Sequence, residues 1–488
     1  MNSQPSLIPA AQGMPAFRRL RWPQVIALIL ISTLVPLTAN AAPAVHEIAL
    51  LGVPIEFILF ALTLLGVAFF HNHTLPVALT GLGAITLYKL TFTGFHAGMG
   101  LAGLAGHLGH EWVILTNLLG LLLGFALLAR HFEDSGMPQI LPRYLPGGWF
   151  GGLALLAAIF VLSSFLDNIA AALIGGTIAF TVFQRRVHIG YLAAIVAASN
   201  AGGSGSVVGD TTTTMMWISG VAPSEVFHAY VAAGVALVVF GIPAALQQHR
   251  FSPMVRDVPA GSQIDWTRLG IVAWILIAAV GTNIVVNSSF KDLGNTFPVL
   301  GVAVWVALLL ATALRKPEWS LLPEAFKGSL FLLTLVVCAS MMPVEKLPEA
   351  SWYSAFTLGF VSAVFDNIPL TALAIEQGGF DWGMLAYAVG FGGSMIWFGS
   401  SAGVALSNLY PQAKSVGSWL RHGWHVAVAY VIGFAALFLT LGWQPHAAHD
   451  AEAPAANVSR AAQPIATQGQ ASTIQFAAQP GAAREVTQ

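Results

Sequence analysis

Charge is what this chain has least of. Only 8% of its 488 residues are Asp, Glu, Lys or Arg, against 56% hydrophobic residues and a mean hydropathy of +0.74. A soluble domain carries about 25% charged residues, so too few charges exist here to cover a water-soluble globule of this size. Cysteine is nearly absent as well. Cys338 stands alone, which excludes an internal disulfide framework and a Cys-based zinc or iron–sulfur centre. The net charge of −1 argues against electrostatic binding of nucleic acid. No phosphate-binding loop occurs in the chain, so nothing in it points to ATP. No cofactor is expected.

What the chain does have is long apolar runs, continuous rather than alternating, and long enough to cross a hydrocarbon core of about 30 Å. Backbone polar groups in lipid must be satisfied within each segment or by a closed barrel. The expectation is an all-α polytopic membrane protein with about 10–13 crossings plus re-entrant hairpins. Residues 1–44 hold a basic flank (Arg18, Arg19, Arg21) and an apolar stretch ending in Ala39-Asn40-Ala41. Two readings fit that stretch, a cleaved signal peptide and a first transmembrane helix. Residues 45–248 and 269–443 form two halves, joined by a charged linker at 249–268 and followed by a disordered tail at 444–488.

The halves share a motif. Ser163-Ser164-Phe165-Leu166-Asp167-Asn168-Ile169 returns about 200 residues later as Ser362-Ala363-Val364-Phe365-Asp366-Asn367-Ile368. A glycine motif follows each copy: Gly202-Gly203-Ser204 then Gly209-Asp210, and Gly392-Gly393-Ser394 then Gly399-Ser400. Such duplication in a hydrophobic chain is the mark of a transporter whose site lies where its repeats meet. Arg130, Arg143, Arg185 and Arg186 flank the first Asp-Asn segment on both sides; Glu345, Lys346, Glu349, Glu376 and Asp381 flank the second. By the positive-inside tendency the first faces the cytoplasm and the second the outside, which makes the repeats inverted.

Asp167, Asp210 and Asp366 each sit in apolar sequence. A carboxylate at mid-membrane costs several kcal/mol unless it is paired, solvated or bound to a cation, and desolvation also favours its protonated form. A site held alternately by a metal ion and by protons needs both responses. The bland alternative is that each aspartate merely caps a broken helix. Asn168 and Asn367 offer an amide oxygen to a cation, or simply satisfy broken-helix backbone. Asn200, Thr212, Thr213, Ser394 and Ser400 add oxygens of the kind hard cations take, though Gly, Ser and Thr are also common at helix contacts in membranes. His107, His110 and Glu111 match neither metalloprotease order and are assigned to a loop before the next helix. Glu56 is read as a polar residue lining the bundle.

At these residues the chain resembles the ion transporter superfamily, which includes NhaD-type sodium/proton antiporters, arsenite pumps and citrate or dicarboxylate carriers. The resemblance covers about residues 45–443. Its most specific part is Ser199-Asn200-Ala201-Gly202-Gly203 through Gly209-Asp210-Thr211-Thr212-Thr213-Thr214, with Phe165-Leu166-Asp167-Asn168 second. It implies two inverted-topology repeats, each with a re-entrant hairpin and a broken helix. It also implies a sodium site built from Asp167, Asn168, Asn200, Asp210, Thr212 and Thr213, with Asp366, Asn367, Ser394 and Ser400 from the second half. Gly203-Ser204-Gly205-Ser206 is smaller than the family's residues after the Gly-Gly pair, which leaves the ion open.

The function expected is exchange of sodium (or lithium) for protons by alternating access in a bacterial inner membrane. The partners expected are the lipid bilayer, small cations and protons, with a homodimer left open. A sodium-coupled citrate or dicarboxylate symporter is the alternative, but no Lys or Arg adjoins either Asp-Asn motif. An intramembrane aspartyl protease is more remote, because Val207 breaks its Gly-x-Gly-Asp signature. The expected protein is not an enzyme.

Overall fold

A computed structural model describes residues 49–445 apart from 51, 71–72 and 256–262. The expectations for residues 1–44, for the middle of the linker and for the tail beyond 445 lie outside the described residues. The protein is an all-α polytopic membrane protein. Among the described residues its only strands are Ala49–Leu50 and Val53–Pro54, paired in a small hairpin.

The first half contains α1 (Ile55–Phe69), α2 (Thr74–Tyr88), α3 (Gly100–Glu133), α4 (Trp149–Ser163), α5 (Asn168–Val182), α6 (Ile189–Ser204), α7 (Thr211–Ile218) and α8 (Ala229–Phe251). The second contains α9 (Trp266–Ser289), α10 (Val299–Ala311), α11 (Leu322–Ser340), α12 (Trp352–Ser362), α13 (Asn367–Gln377), α14 (Trp382–Gly392), α15 (Ser401–Leu409) and α16 (Trp424–Leu441). Six described helical stretches are long and apolar enough to cross a membrane, and they include α3, α8, α11 and α16. α4, α5 and α10 are apolar but shorter.

The order of elements repeats. α4, α5, α6 and α7 recur as α12, α13, α14 and α15, with Asp167 and Asp366 at the same α4–α5 and α12–α13 breaks. In each copy the long helix ends at its Gly-Gly-Ser. The chain then turns without helix and restarts as a short helix at Thr211 or Ser401. The glycines are there because backbone passes against backbone. A Cβ on Gly202 would strike the Phe160 carbonyl of α4, and one on Gly392 would strike the Gly359 carbonyl of α12. Gly209 and Gly399 press in the same way on the carbonyls of Ser163 and Ala363. Every residue of α6 from Gly190 on is buried, and so is every residue of α14. These two helices form the centre of the main apolar core, packed against each other and against α8.

A second apolar cluster joins α1, α2, α3 and α11 through Phe60, Leu64, Ile85, Leu118 and Leu335. Here the structure corrects one expectation. His107, His110 and Glu111 are not in a loop but inside α3, which runs on for 34 residues. At about 1.5 Å per residue that is roughly 51 Å, longer than a hydrocarbon core. His107 and Glu111 are buried, and His107 Nε2 shares a hydrogen bond with Ser340 Oγ (3.1 Å). The end of α11 gives the imidazole the partner that a helix burying it requires.

Candidate functional site

The three aspartates stand at helix starts, and each is an N-cap. Asp167 accepts from the Ile169 amide (3.1 Å), Asp210 from the Thr212 amide (3.0 Å) and Asp366 from the Ile368 amide (3.1 Å). The capping role is therefore present at all three. It does not use up the carboxylates, because in two of them the other oxygen meets a side chain. Asp210 Oδ2 accepts from Asn168 Nδ2 (3.1 Å), and Asp366 Oδ2 accepts from Ser401 Oγ (3.0 Å). No side chain among the described residues bonds Asp167. Asp210 is 2% exposed and lies within electrostatic reach of both Asp167 and Asp366.

Asn200 ties the halves together. Its Oδ1 accepts from Asn168 Nδ2 (3.1 Å), and its Nδ2 donates to Ser394 Oγ (2.9 Å) and Ser400 Oγ (3.1 Å). Asp210, Asn168, Asn200, Ser394 and Ser400 are thus one continuous hydrogen-bonded group, buried throughout. Thr212 supplies the capping amide, and its buried hydroxyl lies beside the same carboxylate. Thr213 turns its hydroxyl to the carbonyls of Ser206 (2.5 Å) and Asp210 (2.9 Å) and so fastens the turn before α7. Asn367 is buried, but its side-chain nitrogen has no partner among the described residues and does not join the group.

The two half-sites are unequal. Aligning the glycine motifs sets Gly390 opposite Asn200 and Ser400 opposite Asp210. A Cβ on Gly390 would come to 3.5 Å from Asp210 Oδ2. To this group the second half therefore brings hydroxyls and a glycine packed close to the carboxylate, and the first half brings the carboxylate and the amide.

A cavity of about 410 Å³ leads to this group. Its walls are α3 (Leu121 to Glu133) and α11 (Glu324 to Leu332) on one side, and the starts of α5 and α7 on the other. Asp167, Asp210, Thr211, Thr214 and Ser401 are at its floor; Arg130, Glu133 and Glu324 are at the end of α3 and the start of α11. Ser401 and Thr214 were not picked out from the sequence. Ser401 follows Ser400 as Thr211 follows Asp210, so the duplication could have found it.

Among the described residues Arg130 is the one cationic residue lining the cavity, and carboxylates already surround it. It meets Glu318 at 2.6 Å, Glu133 at 3.1 Å and Asp134 at 3.3 Å. Arg268 continues the chain to Asp134 (3.2 Å), and Arg315 pairs with Asp265 (3.0 Å). Arg130 holds the Glu318 carboxyl below its ordinary value, and Arg315 does the same for Asp265. Against Arg130, the cavity lining sets Glu133, Glu324, Asp167 and Asp210.

Over 294 residues, 51% of this chain, it is 26% identical to sodium/proton antiporter 1 of Arabidopsis thaliana. Over 355 residues, 61% of this chain, it is 25% identical to the Na(+)/H(+) antiporter NhaD of Vibrio parahaemolyticus. The chain is similar to sodium/proton antiporters, NhaD types among them. An NhaD of Halomonas elongata matches at 24% over 330 residues. The matched region spans about half (49%) of the first Arabidopsis relative, 84% of the Vibrio NhaD and 64% of the Halomonas NhaD. No protein-family model matches the chain.

Proposed function

We propose that this protein is a secondary antiporter that exchanges sodium or lithium for protons across a bacterial inner membrane. The observation that carries the reading is a cavity with a surplus of carboxylates, ending on Asp167 and Asp210. The surplus concentrates cations and repels anions. An anion carrier would need free cationic groups or bare helix N-termini. Here Arg130 is already paired, and the starts of α5, α7 and α13 each hold a carboxylate of their own. That weighs against a citrate or dicarboxylate symporter.

Asp167, unbonded by side chains at the cavity floor, is the first group to meet an entering ion. Asp210 Oδ2 completes the contact, with Asn200 and the Ser394 and Ser400 hydroxyls behind it. When the ion leaves, protons replace it on the same carboxylates. Asp366, held by Ser401, balances charge from the second half. The repeated α4–α7 and α12–α15 units act as inverted repeats that rock about the group and expose it to each side in turn. The similarity to sodium/proton antiporters supports the choice of ion.

The test is purified protein in liposomes with an entrapped pH dye, challenged with sodium, lithium, potassium and citrate. Sodium and lithium should each collapse a proton gradient, and citrate should not. Proton movement with citrate alone would overturn the proposal.

A further inference from the structure

Glycine is the poorest helix former after proline, so a glycine inside a helix calls for a reason. α14 and the turn after it hold Gly383, Gly390, Gly392, Gly393 and Gly399. All but one share the same reason, a close approach to backbone. A Cβ on Gly383 would come to 2.8 Å from the Glu225 carbonyl, and one on Gly393 to 2.7 Å from the Gly399 carbonyl. Gly392 and Gly399 press on the carbonyls of Gly359 and Ala363. Gly390 is the exception. A Cβ there would stand 3.4 Å from Ser204 Cβ, 3.5 Å from Asp210 Oδ2 and 3.9 Å from Ser204 Cα, which are ordinary van der Waals separations. Its φ is negative, so no left-handed turn asks for glycine either. Alanine would fit, and the chain carries glycine.

A second observation comes from α13, which packs on α14. In the first half, Asn200 Oδ1 accepts from Asn168 Nδ2. Asn367 is the counterpart of Asn168, and Gly390 stands where Asn200 does. Asn367 therefore meets no such oxygen. Its Nδ2 is buried without a partner among the described residues, and the whole residue is only 2% exposed. A buried donor left unpaired is costly. The missing side chain at Gly390 thus has a price in hydrogen bonding as well as in helix propensity. It is also missing beside the reactive oxygen. Asn168 Nδ2 holds one flank of Asp210 Oδ2, and a carboxylate oxygen has a second lone pair to offer.

We infer that Gly390 is the specificity-determining position of the cation site: carrying no side chain, it leaves Asp210 Oδ2 open on the flank that Asn168 does not hold, and the room there decides which cation the carboxylate takes. Hard cations sit about 2.0–2.6 Å from their oxygen ligands. An ion that close to Oδ2 would overlap a methyl carbon 3.5 Å from the same oxygen. A larger ion overlaps more, so a methyl at this position turns sodium away more than lithium. The choice of these two ions rests on the antiport reading; the position itself rests on the packing of α14 against Asp210.

The test compares wild type, Gly390→Ala and Gly234→Ala, whose added methyl meets nothing within 4 Å. One readout is the melting temperature in detergent with sodium, lithium or choline chloride, since an ion that binds the folded state raises it. The other is the sodium and lithium dependence of proton exchange in liposomes. In choline, Gly390→Ala should melt no lower than wild type, because alanine fits and is the better helix former. Its sodium affinity should fall about tenfold, the least that one methyl group in a fitted site is worth. That loss should appear in the sodium concentration for half-stabilisation, and as a raised KM with kcat near wild type. Lithium should lose clearly less, and Gly234→Ala should match wild type for both ions. A Gly390→Ala protein that melts well below wild type in choline would give the glycine a packing reason and overturn the inference. Unchanged sodium affinity, equal losses for the two ions, a lower kcat at unchanged KM, or the same loss in Gly234→Ala would each overturn it too. If sodium stabilises the wild-type protein but moves no protons, the antiport reading falls and the melting comparison still decides the role of Gly390. If sodium does neither, both fall.

Discussion

Asp210 divides its oxygens between two tasks, with Oδ1 on the Thr212 amide and Oδ2 on Asn168. This division makes a clean substitution possible. Asparagine caps a helix about as well as aspartate, and its amide oxygen can keep the Thr212 bond. Asp210→Asn should therefore leave the fold nearly as stable, within about 1 kcal/mol, while removing the charge proposed to bind a cation or a proton. Exchange should fall at least about a hundredfold in Asp210→Asn, and likewise in Asp167→Asn. Turnover near the wild-type rate in liposomes, with normal thermal stability, would return Asp210 to capping alone. Asn200 differs because it has no charge to lose. Asn200→Ala strips three hydrogen bonds from a buried group and leaves Ser394 without its Asn200 partner, at a cost of about 1–3 kcal/mol. It should lower the melting temperature and exchange together, and thermal unfolding in detergent beside the transport assay separates the two patterns.

At the scale of elements, the duplicated glycines show what a sequence can carry. Gly202 and Gly392 recur because each lies against a carbonyl of the helix before it, and a packing constraint that strict leaves the same residue in both copies. Gly202→Ala and Gly392→Ala should each cost about 1–3 kcal/mol of stability, as overpacking does. Gly234 on α8 has open space around it, so Gly234→Ala should be neutral or mildly stabilising. Equal melting temperatures for all three variants would show that the close approaches do not constrain the fold. The broken helices and the three aspartates at their starts were legible for the same reason: glycine pairs and lone acids in apolar sequence have few explanations. The extent of α3 was not. His107 and Glu111 look like loop residues until Ser340, 233 positions away, closes on the imidazole, and that distance leaves no local signal. The inequality of the half-sites was readable in outline, since Ser400 visibly replaces Asp210. That Gly390 borders the Asp210 carboxylate was not, because it depends on how α14 packs on α6.

Considered whole, the molecule opens its site toward one end. The cavity runs from the end of α3 and the start of α11 to Asp167 and Asp210, and the Arg130–Glu318 and Arg315–Asp265 pairs gather at that end. Arg130, Arg185, Arg315 and Lys316 make the cytoplasmic side the proposed location of this end, by the positive-inside tendency. The chain supplies its own quiet background for testing this. Cys338 is its single cysteine and is fully buried, so the wild-type protein should take up almost no thiol reagent. Ala126 is on the cavity wall, and Ala126→Cys places a thiol there. A membrane-impermeant maleimide should label that thiol from the cytoplasmic side at least about tenfold faster than from the outside, if the state seen here dominates. Occupying the site with sodium should change both rates in opposite directions if the repeats rock, because a population moved out of one state must enter the other. Equal labelling from both faces, unaffected by sodium, would mean an open pore, and the alternating-access reading would fall with it.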